Sequence, residues 1–223
     1  MSVFENVYQI RKTLGYSQDD VANKLGITRQ TYLKFENGQS DLQTNQLQQI
    51  ADYFGVDICE FYYEPQNTDK FKEMIIYILE KFKKNGVPKT KLAKLLYLAD
   101  FRHFYYNLES MSSVIYKCKE FGPLANPFLE EIDNMFEKGE LHIDLLSEGA
   151  QMITLSQSMS KYKYSLLSKN EQKEIDEICE KWKNVSTQEI VNFTHRQKPW
   201  MSCRDNENIP YELILQEDPD NVF

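Results

Sequence analysis

The sequence lacks the features that mark secreted, membrane-spanning and zinc-binding proteins. Its four cysteines, Cys59, Cys118, Cys179 and Cys203, form no C-x-x-C pair and have no histidine at ligand spacing, which favours a reducing compartment and argues against structural zinc. No apolar run approaches the roughly 20 residues that cross a bilayer. The N-terminus opens directly into a helical pattern, without a signal peptide. We therefore expect a cytoplasmic protein with no membrane partner.

Positive charge is also scarce. The chain has 26 lysines and arginines against 34 aspartates and glutamates, a net charge of −8, which excludes a nonspecific nucleic-acid coat and binding to anionic membranes. The 223 residues have 41% hydrophobic content, enough for about two domains that each bury a core. A disordered chain is not expected.

Groups arranged for catalysis are missing as well. His103, His142 and His195 lie far apart, and none has the spacing of a metal site or of an activated nucleophile. We expect Trp200 to anchor the last helices by packing, and His195 to be hydrogen-bonded at a helix end. The sequence thus predicts no enzymatic activity and no cofactor.

The segment from Tyr16 to Gly38 predicts two short helices joined by a tight turn. Ser17 caps the first helix, with Asp20 three residues later. Gly26 supplies the left-handed conformation at which that helix ends, because glycine adopts it at little cost. Thr28 caps the second helix. Apolar spacing predicts one helix before this pair, over residues 3–14, and two after it, one that includes Leu47 to Phe54 and a last short one from Asp57 to Phe61, which makes a five-helix domain.

The second helix has two different faces. Tyr32 and Phe35 lie on one side. The other side, which is mostly polar and is left free, is occupied by Arg29, Gln30, Leu33 and Lys34. In the loop that follows, Gln39 and Ser40 are placed to reach phosphates with backbone N–H groups.

These features resemble the Xre and Cro family of phage-repressor-like helix-turn-helix domains, over residues 2 to about 62. The resemblance rests on S-Q before the first motif helix, Ala22, Gly26, the T-R-Q-T opening of the second helix and its F-E-N-G close. It implies DNA contacts by Gln18, Arg29, Gln30, Thr31, Lys34, Gln39 and Ser40. The alternative is that these residues are solvated positions on a helical interaction domain, since helix-turn-helix pairs also occur as packing units.

Charge in this first domain limits how it would bind DNA. Residues 1–64 hold five lysines and arginines against nine acidic residues, whereas residues 24–40 set Lys24, Arg29 and Lys34 against Glu36 alone, a local charge of +2. Bulk attraction cannot hold DNA with so little positive charge. We expect a homodimer on a matched operator.

A polar break at residues 65–69 separates the first domain, 1–64, from a second at 70–215, which is followed by a frayed acidic tail at 216–223. The second domain is predicted to be α+β, mostly helical with a small sheet. Leu92, Leu95, Leu96 and Ala99 form one apolar stripe on its second helix. The other predicted elements are helices at 70–84 and 89–106, a strand at 113–121, a helix opened by Asn126 and Pro127, a hairpin of 141–146 with 151–155, and helices capped by Ser168 with Glu171 and Ser186 with Glu189.

Three segments of this second domain resemble the Panacea domain, also called the SocA-like antitoxin domain. They are K-T-K-L-A-K-L-L-Y-L-A-D at 89–100, the stretch from Tyr116 to F-G-P at 121–123, and T-H-R-Q-K-P-W at 194–200. The resemblance implies an antitoxin that binds a protein toxin encoded in the same operon, and whose helix-turn-helix represses that operon. Tyr105 and Tyr106 are candidates for the toxin-binding surface, because aromatic residues favour interface centres.

A second interpretation of the whole chain stays open. It is a phage-type transcriptional regulator whose C-terminal domain only dimerises or senses a ligand. The product of the adjacent reading frame distinguishes the two, because only an antitoxin has a toxic neighbour.

Overall fold

The computed structural model describes residues 3–62, 68–146 and 149–223, except for the side chain of Lys84. The chain divides into two units, Met1–Gln66 and Asn67–Phe223. Residues 65–67 of the predicted linker lie outside the described residues, as do Ser147 and Glu148. Within the described ranges, no helix is both long and apolar enough to cross a bilayer.

The first unit is helical throughout. Between residues 3 and 62 it has the five helices that the sequence predicts, the last of them a 3-10 helix. They are α1 (Val3–Thr13), α2 (Gln18–Leu25), α3 (Arg29–Glu36), α4 (Thr44–Phe54) and the 3-10 helix Ile58–Phe61. One core joins them, built on fully buried Val7, Tyr32, Ile50 and Phe61.

The second unit is mostly helical, with short antiparallel strands. This confirms the predicted class, mainly α with a small sheet. Its elements are α5 (Thr68–Phe82), β1 (Val87–Pro88), α6 (Lys89–Asn107), β2 (Tyr116–Lys117), β3 (Leu124–Ala125), α7 (Phe128–Glu137), β4 (Leu141–Leu145), β5 (Gln151–Leu155), α8 (Lys169–Trp182), α9 (Thr187–His195), α10 (Lys198–Met201) and β6 (Asn208–Ile209).

Helix α6 is the centre of the second unit. Every residue from Lys91 to Phe101 is buried, because α5, α8 and α9 all pack around this helix. The single apolar stripe predicted from Leu92 to Ala99 is therefore too narrow, since a helix enclosed on all sides has no solvated face. Enclosure also buries the three charged residues Lys91, Lys94 and Asp100.

Two three-stranded antiparallel sheets flank the helices, in the orders β1-β5-β4 and β3-β2-β6. The predicted hairpin is confirmed, with Ile143 opposite Ile153. The strand predicted over Ser113 to Phe121 is wrong in extent, because only Tyr116–Lys117 is a strand. Ser113 has a left-handed φ of 58° and Gly122 one of 90°, so the backbone leaves the extended conformation on both sides.

A buried carboxylate ties α6 to the loop before β2. Asp100 is fully buried, and its Oδ1 accepts a hydrogen bond from Ser112 N at 2.9 Å while its Oδ2 accepts from Tyr116 Oη at 3.0 Å. The Ser112 hydroxyl donates to Oδ2 as well. Burial raises the pKa of Asp100 in spite of these donors. A carboxylate with several donors at this depth holds the loop in one position.

Helix starts follow the predicted caps with one exception. Ser168 with Glu171 and Ser186 with Glu189 form complete capping boxes at α8 and α9. Pro127, not Asn126, takes the capping position of α7, and the Asn126 N–H pairs with Ile115 O at 2.8 Å. The helix therefore begins one residue later than predicted, after Pro127 and not at it.

The segment predicted to be a frayed tail is folded against the second unit. Val222 is fully buried, and Gln197 Nε2 donates to Asn221 O at 2.7 Å and to Val222 O at 2.9 Å. The Arg102 guanidinium lies 4.1 Å from the centre of the Phe223 ring. The acidic composition of residues 216–220 led to the prediction of a frayed tail, although the segment ends in two apolar residues, Val222 and Phe223.

Candidate functional site

The turn between α2 and α3 is built as its residues predict. The Ser17 hydroxyl accepts from Asp20 N at 3.1 Å. Asp20 Oδ2 accepts from the Ser17 hydroxyl at 2.7 Å and from Ser17 N at 2.8 Å, and these two bonds lower the pKa of Asp20. Gly26 ends α2 with a φ of 66°, and Thr28 caps α3. Local hydrogen bonds thus fix both helix ends, and with them the direction in which α3 points.

Helix α3 presents a polar face to solvent. Tyr32 and Phe35 are buried in the core, and on the opposite side the predicted DNA-contacting residues are exposed: Arg29, Gln30, Thr31 and Lys34. The Thr31 hydroxyl is 2.9 Å from the Thr28 hydroxyl. An exposed row of guanidinium, amide and ammonium groups on one short helix matches the chemistry of base edges and phosphates.

A hydrogen-bond chain connects this face to the interior. Arg11 Nε donates to Glu36 Oε1 at 2.6 Å, and Gln18 Nε2 donates to Glu36 Oε2 at 2.8 Å. Gln18 Oε1 in turn lies 3.3 Å from Arg29 Nη2. Gln18 is half-buried, and it joins the buried ion pair to an exposed arginine. The predicted contacts Gln18 and Arg29 are therefore held relative to each other.

The charge count on this face needs a correction. The local charge of +2 counts Glu36 as the acidic residue beside Lys24, Arg29 and Lys34. In the structure, however, Glu36 is buried and paired with Arg11. The acidic group that does reach the face is exposed Asp19, 3.7 Å from Arg29 Nε. Pairs so exposed contribute little, because water screens them. The sequence did not reveal the Arg11 and Glu36 pair, since the two residues belong to different helices.

The loop after α3 differs from its prediction in one respect. The Gln39 N–H donates to Lys34 O at 2.8 Å, so it closes the helix end and does not face outward. Gly38 has a φ of 67°, and a Cβ there would lie 2.6 Å from the Phe4 ring. The Gln39 side chain is exposed and Ser40 is half-buried. Side chains, rather than the Gln39 backbone, are what this loop offers to a phosphate.

The aromatic and histidine candidates of the second unit differ in exposure and in their partners. Tyr105 is half-buried against the core, whereas Tyr106 is 57% exposed, and their rings meet edge to face at 5.0 Å. His103 Nδ1 is 2.9 Å from Glu174, and His142 Nε2 is 3.2 Å from the Ser156 hydroxyl. Tyr106 is thus the more accessible of the two predicted toxin contacts.

The T-H-R-Q-K-P-W segment packs by stacking. The His195 and Trp200 rings lie 4.0 Å apart and 16° from parallel, and Trp200 Nε1 donates to Lys119 O at 3.2 Å. The predicted hydrogen bond of His195 is wrong for Nε2, which is buried without a partner among the described residues. Burial, with a contribution from Lys94, lowers the pKa of His195, which favours the neutral ring.

No group of side chains in the described residues is arranged to hold a metal ion. Cys118 is buried and Cys203 is half-buried. Burial raises the pKa of both thiols, with nearby acidic residues contributing. Neither thiol has the electropositive surroundings that stabilise a thiolate.

Two family models match the chain. The model for the antitoxin SocA-like, Panacea domain matches residues 92–201, and a helix-turn-helix model matches residues 7–61. The chain is also 28% identical, over 100 residues, to the SPbeta prophage-derived uncharacterized HTH-type transcriptional regulator YonR of Bacillus subtilis (strain 168), a match that covers 34% of this chain and 93% of that protein. No solved structure matches the present chain.

Both resemblances predicted from the sequence are confirmed. The chain carries a helix-turn-helix domain and a SocA-like Panacea domain. Its exposed α3 face belongs to the first of these domains, and Tyr105 and Tyr106 belong to the second.

Proposed function

We propose that this protein is the antitoxin of a toxin–antitoxin pair. In this proposal the second unit neutralises a toxin from the same operon by binding it, and the first unit represses that operon in the cytoplasm. The observation that carries the proposal is the match of residues 92–201 to the SocA-like antitoxin domain. Its presence on one chain with a helix-turn-helix domain favours autoregulation.

On the DNA side, we propose a homodimer that binds an inverted repeat. The first unit offers few cations, five against nine acidic residues in residues 1–64, so one copy has little electrostatic affinity for a duplex. Two copies of the α3 face, one in each half-site, double the contacts and set the half-site spacing. Gln18, Arg29, Gln30, Thr31, Lys34, Gln39 and Ser40 remain the proposed contacts.

On the toxin side, we propose neutralisation by binding and not by catalysis. The accessible aromatic ring of Tyr106, beside half-buried Tyr105, suits the centre of an interface. The Ser156 hydroxyl does lie 3.2 Å from His142 Nε2, but no described carboxylate pairs with this histidine to orient it as covalent catalysis requires. The toxin would therefore be held in a complex with a fixed stoichiometry.

Expression of the adjacent reading frame tests the proposal. Alone it should arrest growth of the host, and co-expression of this chain should restore growth. Residues 68–223 should restore growth as well, but they should leave the operon derepressed. A harmless neighbour, or a toxic one that the full chain cannot neutralise, would overturn the proposal.

A second function is favoured by the similarity to YonR, whose name describes a transcriptional regulator of a prophage. Under this alternative, the chain regulates transcription and its second unit only dimerises or senses a ligand. Operator binding without any toxic neighbour would favour it.

A further inference from the structure

The second unit contains a cavity of about 310 Å³ between the start of α6, the loop from Lys119 to Leu124, the start of α7 and the residues after the β4–β5 turn. This volume lies in the range of small-molecule sites. Its walls combine apolar side chains, such as buried Phe128, with three lysines, Lys89, Lys94 and Lys119. None of the described residues that line it is acidic. The chain as a whole is acidic, so a cationic cavity is a local exception.

Lys94 is the unusual member of this cavity wall. Its side chain is almost completely buried, yet its Nζ has one described hydrogen-bond acceptor, Pro123 O at 2.6 Å, and no described carboxylate pairs with it. An ammonium group can donate three hydrogen bonds. A buried charge without a counter-charge costs several kcal/mol, so a purely structural role would be better served by an apolar residue.

The backbone is shaped to leave room for this ammonium group. Gly122 has a φ of 90°, and a Cβ at this position would lie 3.1 Å from Lys94 Nζ and 3.0 Å from Thr194 Oγ1. Any other residue at position 122 would press on the lysine. Gly122 therefore permits the close approach of the loop to Lys94.

Lys91 on the same helix shows what a structural buried lysine looks like. It is also buried, but its Nζ donates to Val185 O at 2.6 Å and to Lys183 O at 3.3 Å. These carbonyls follow the C-terminal end of α8, where the helix dipole is negative. Burial lowers the pKa of Lys91 as well, but Lys91 has two carbonyl acceptors at a helix end, whereas Lys94 has one.

The start of α6 adds to the positive potential of the cavity. Pro88 precedes this 19-residue helix, and no side chain caps its first turn. Lys89 and Thr90 of that turn line the cavity, and the partial positive charge of a helix N-terminus favours an anion. Lys119 lines the cavity with the aliphatic part of its side chain, since its Nζ donates to Asn206 Oδ1 at 2.7 Å.

We propose that this cavity binds a small organic anion, with an apolar body against Phe128 and Leu124 and an acidic group that pairs with Lys94 and Lys89. The bound anion supplies the counter-charge that no described carboxylate provides for Lys94. None of the described residues that line this site is among the proposed toxin or operator contacts. It would give the second unit a ligand of its own.

A matched pair of dyes tests the proposal on the full-length protein. 1-Anilinonaphthalene-8-sulfonate carries an apolar body with one anionic group, and N-phenyl-1-naphthylamine has the same ring system without the charge. In fluorescence titrations, the anionic dye should bind at one site per chain, and more tightly than the neutral dye by about tenfold or more. Equal affinity for the two dyes would overturn the proposal.

Three variants locate the site. Lys94→Met should remove the preference for the anionic dye, and Lys89→Met should reduce it, whereas Lys91→Met should keep it. Circular dichroism confirms that each variant is folded, and partly exposed Lys89 still provides the test if Lys94→Met does not fold. Benzoate and phenyl phosphate should displace the dye, with the stronger competitor identifying a carboxylate or a phosphate as the preferred group. A preference that survives in both Lys94→Met and Lys89→Met, or displacement by neither competitor, would contradict the assignment.

Discussion

At the scale of single residues, Lys94 carries a cost in stability that its replacement would reveal. Burial lowers its pKa to about 7, compared with about 10.4 in an unfolded chain. We expect Lys94→Met to raise the free energy of unfolding at pH 6 by about 1–3 kcal/mol, because the desolvation of the charge outweighs one lost hydrogen bond. Chemical denaturation of the wild type and the variant measures this difference.

The pH dependence of that gain follows from the direction of the shift. Between the two pKa values the unfolded chain binds the proton and the folded one does not, so the stability of the wild type rises with pH. The advantage of Lys94→Met should therefore be full below pH 7 and shrink as the pH rises toward 10. Lys91→Met, the control, should instead destabilise the protein, because it leaves two carbonyls without a donor. A destabilised Lys94→Met variant at pH 6 would contradict this account of the lysine.

The α3 face leads to a second prediction for single residues. Arg29→Ala or Gln30→Ala should weaken binding to the true operator by about 1–3 kcal/mol and relax its sequence preference. Gln49→Ala, an exposed change on α4, is the control and should leave binding unchanged. Gel-shift titrations measure both effects. Unchanged operator affinity in the Arg29 and Gln30 variants would remove these residues from the interface.

Residue patterns predicted this face well and the buried charges poorly. The exposed row on α3 follows from helical periodicity, and the caps by Ser17 and Thr28 follow from local hydrogen bonding. The partner of Glu36 is 25 residues away, so local patterns cannot identify it. One signal for the cavity was present, a lysine at position 94 inside the apolar run from Leu92 to Ala99, but its surroundings come from distant segments.

At the scale of elements, Glu73 on α5 fixes the segment that leads into α8. Its Oε1 accepts from Ser165 N at 2.8 Å and from the Ser165 hydroxyl at 3.0 Å, and its Oε2 accepts from Leu166 N at 3.0 Å and Leu167 N at 2.9 Å. Burial alone would raise the pKa of Glu73, but these donors outweigh it and lower the pKa. One buried carboxylate thus satisfies three backbone N–H groups.

Glu73→Gln should destabilise the second unit by about 1.5–3 kcal/mol at pH 7, because an amide nitrogen cannot accept the bonds that one carboxylate oxygen receives. The difference should be lost as the pH falls through the lowered pKa of Glu73, where the wild type also loses its charge. Glu80→Gln is the matched control on α5, since Glu80 accepts one bond, from Tyr164. Thermal melts of both variants test this, and equal losses would show that Glu73 has no special role.

Elements with local signals were predicted, and those formed by distant pairing were not. The β4–β5 hairpin and both capping boxes depend on residues close in sequence. Strand β2 pairs with nearby β3 and also with Asn208 and Ile209, about 90 residues away, so the local alternation of residues alone does not define its ends. The full enclosure of α6 likewise requires α5, α8 and α9 to be in place.

At the scale of the whole molecule, the last residues close the second unit. Val222→Ala should lower the free energy of unfolding by about 1–2.5 kcal/mol, because it removes buried methyl groups and leaves a cavity. Asp220→Ala, at an exposed neighbouring position, should change stability by less than about 0.5 kcal/mol. Denaturant titrations compare the two. Equal stability of the two variants would mean that the segment is as loose as its composition suggests.

In our central proposal, the second unit of this protein silences a toxin by binding it. The most direct measurement titrates the purified full-length chain against the activity of the purified neighbouring protein. Our account predicts a linear fall in toxin activity that reaches zero at a fixed molar ratio, with a complex of that composition in gel filtration. Complete neutralisation by a small fraction of one equivalent, with no complex formed, would contradict it and would mean that the second unit acts as a catalyst.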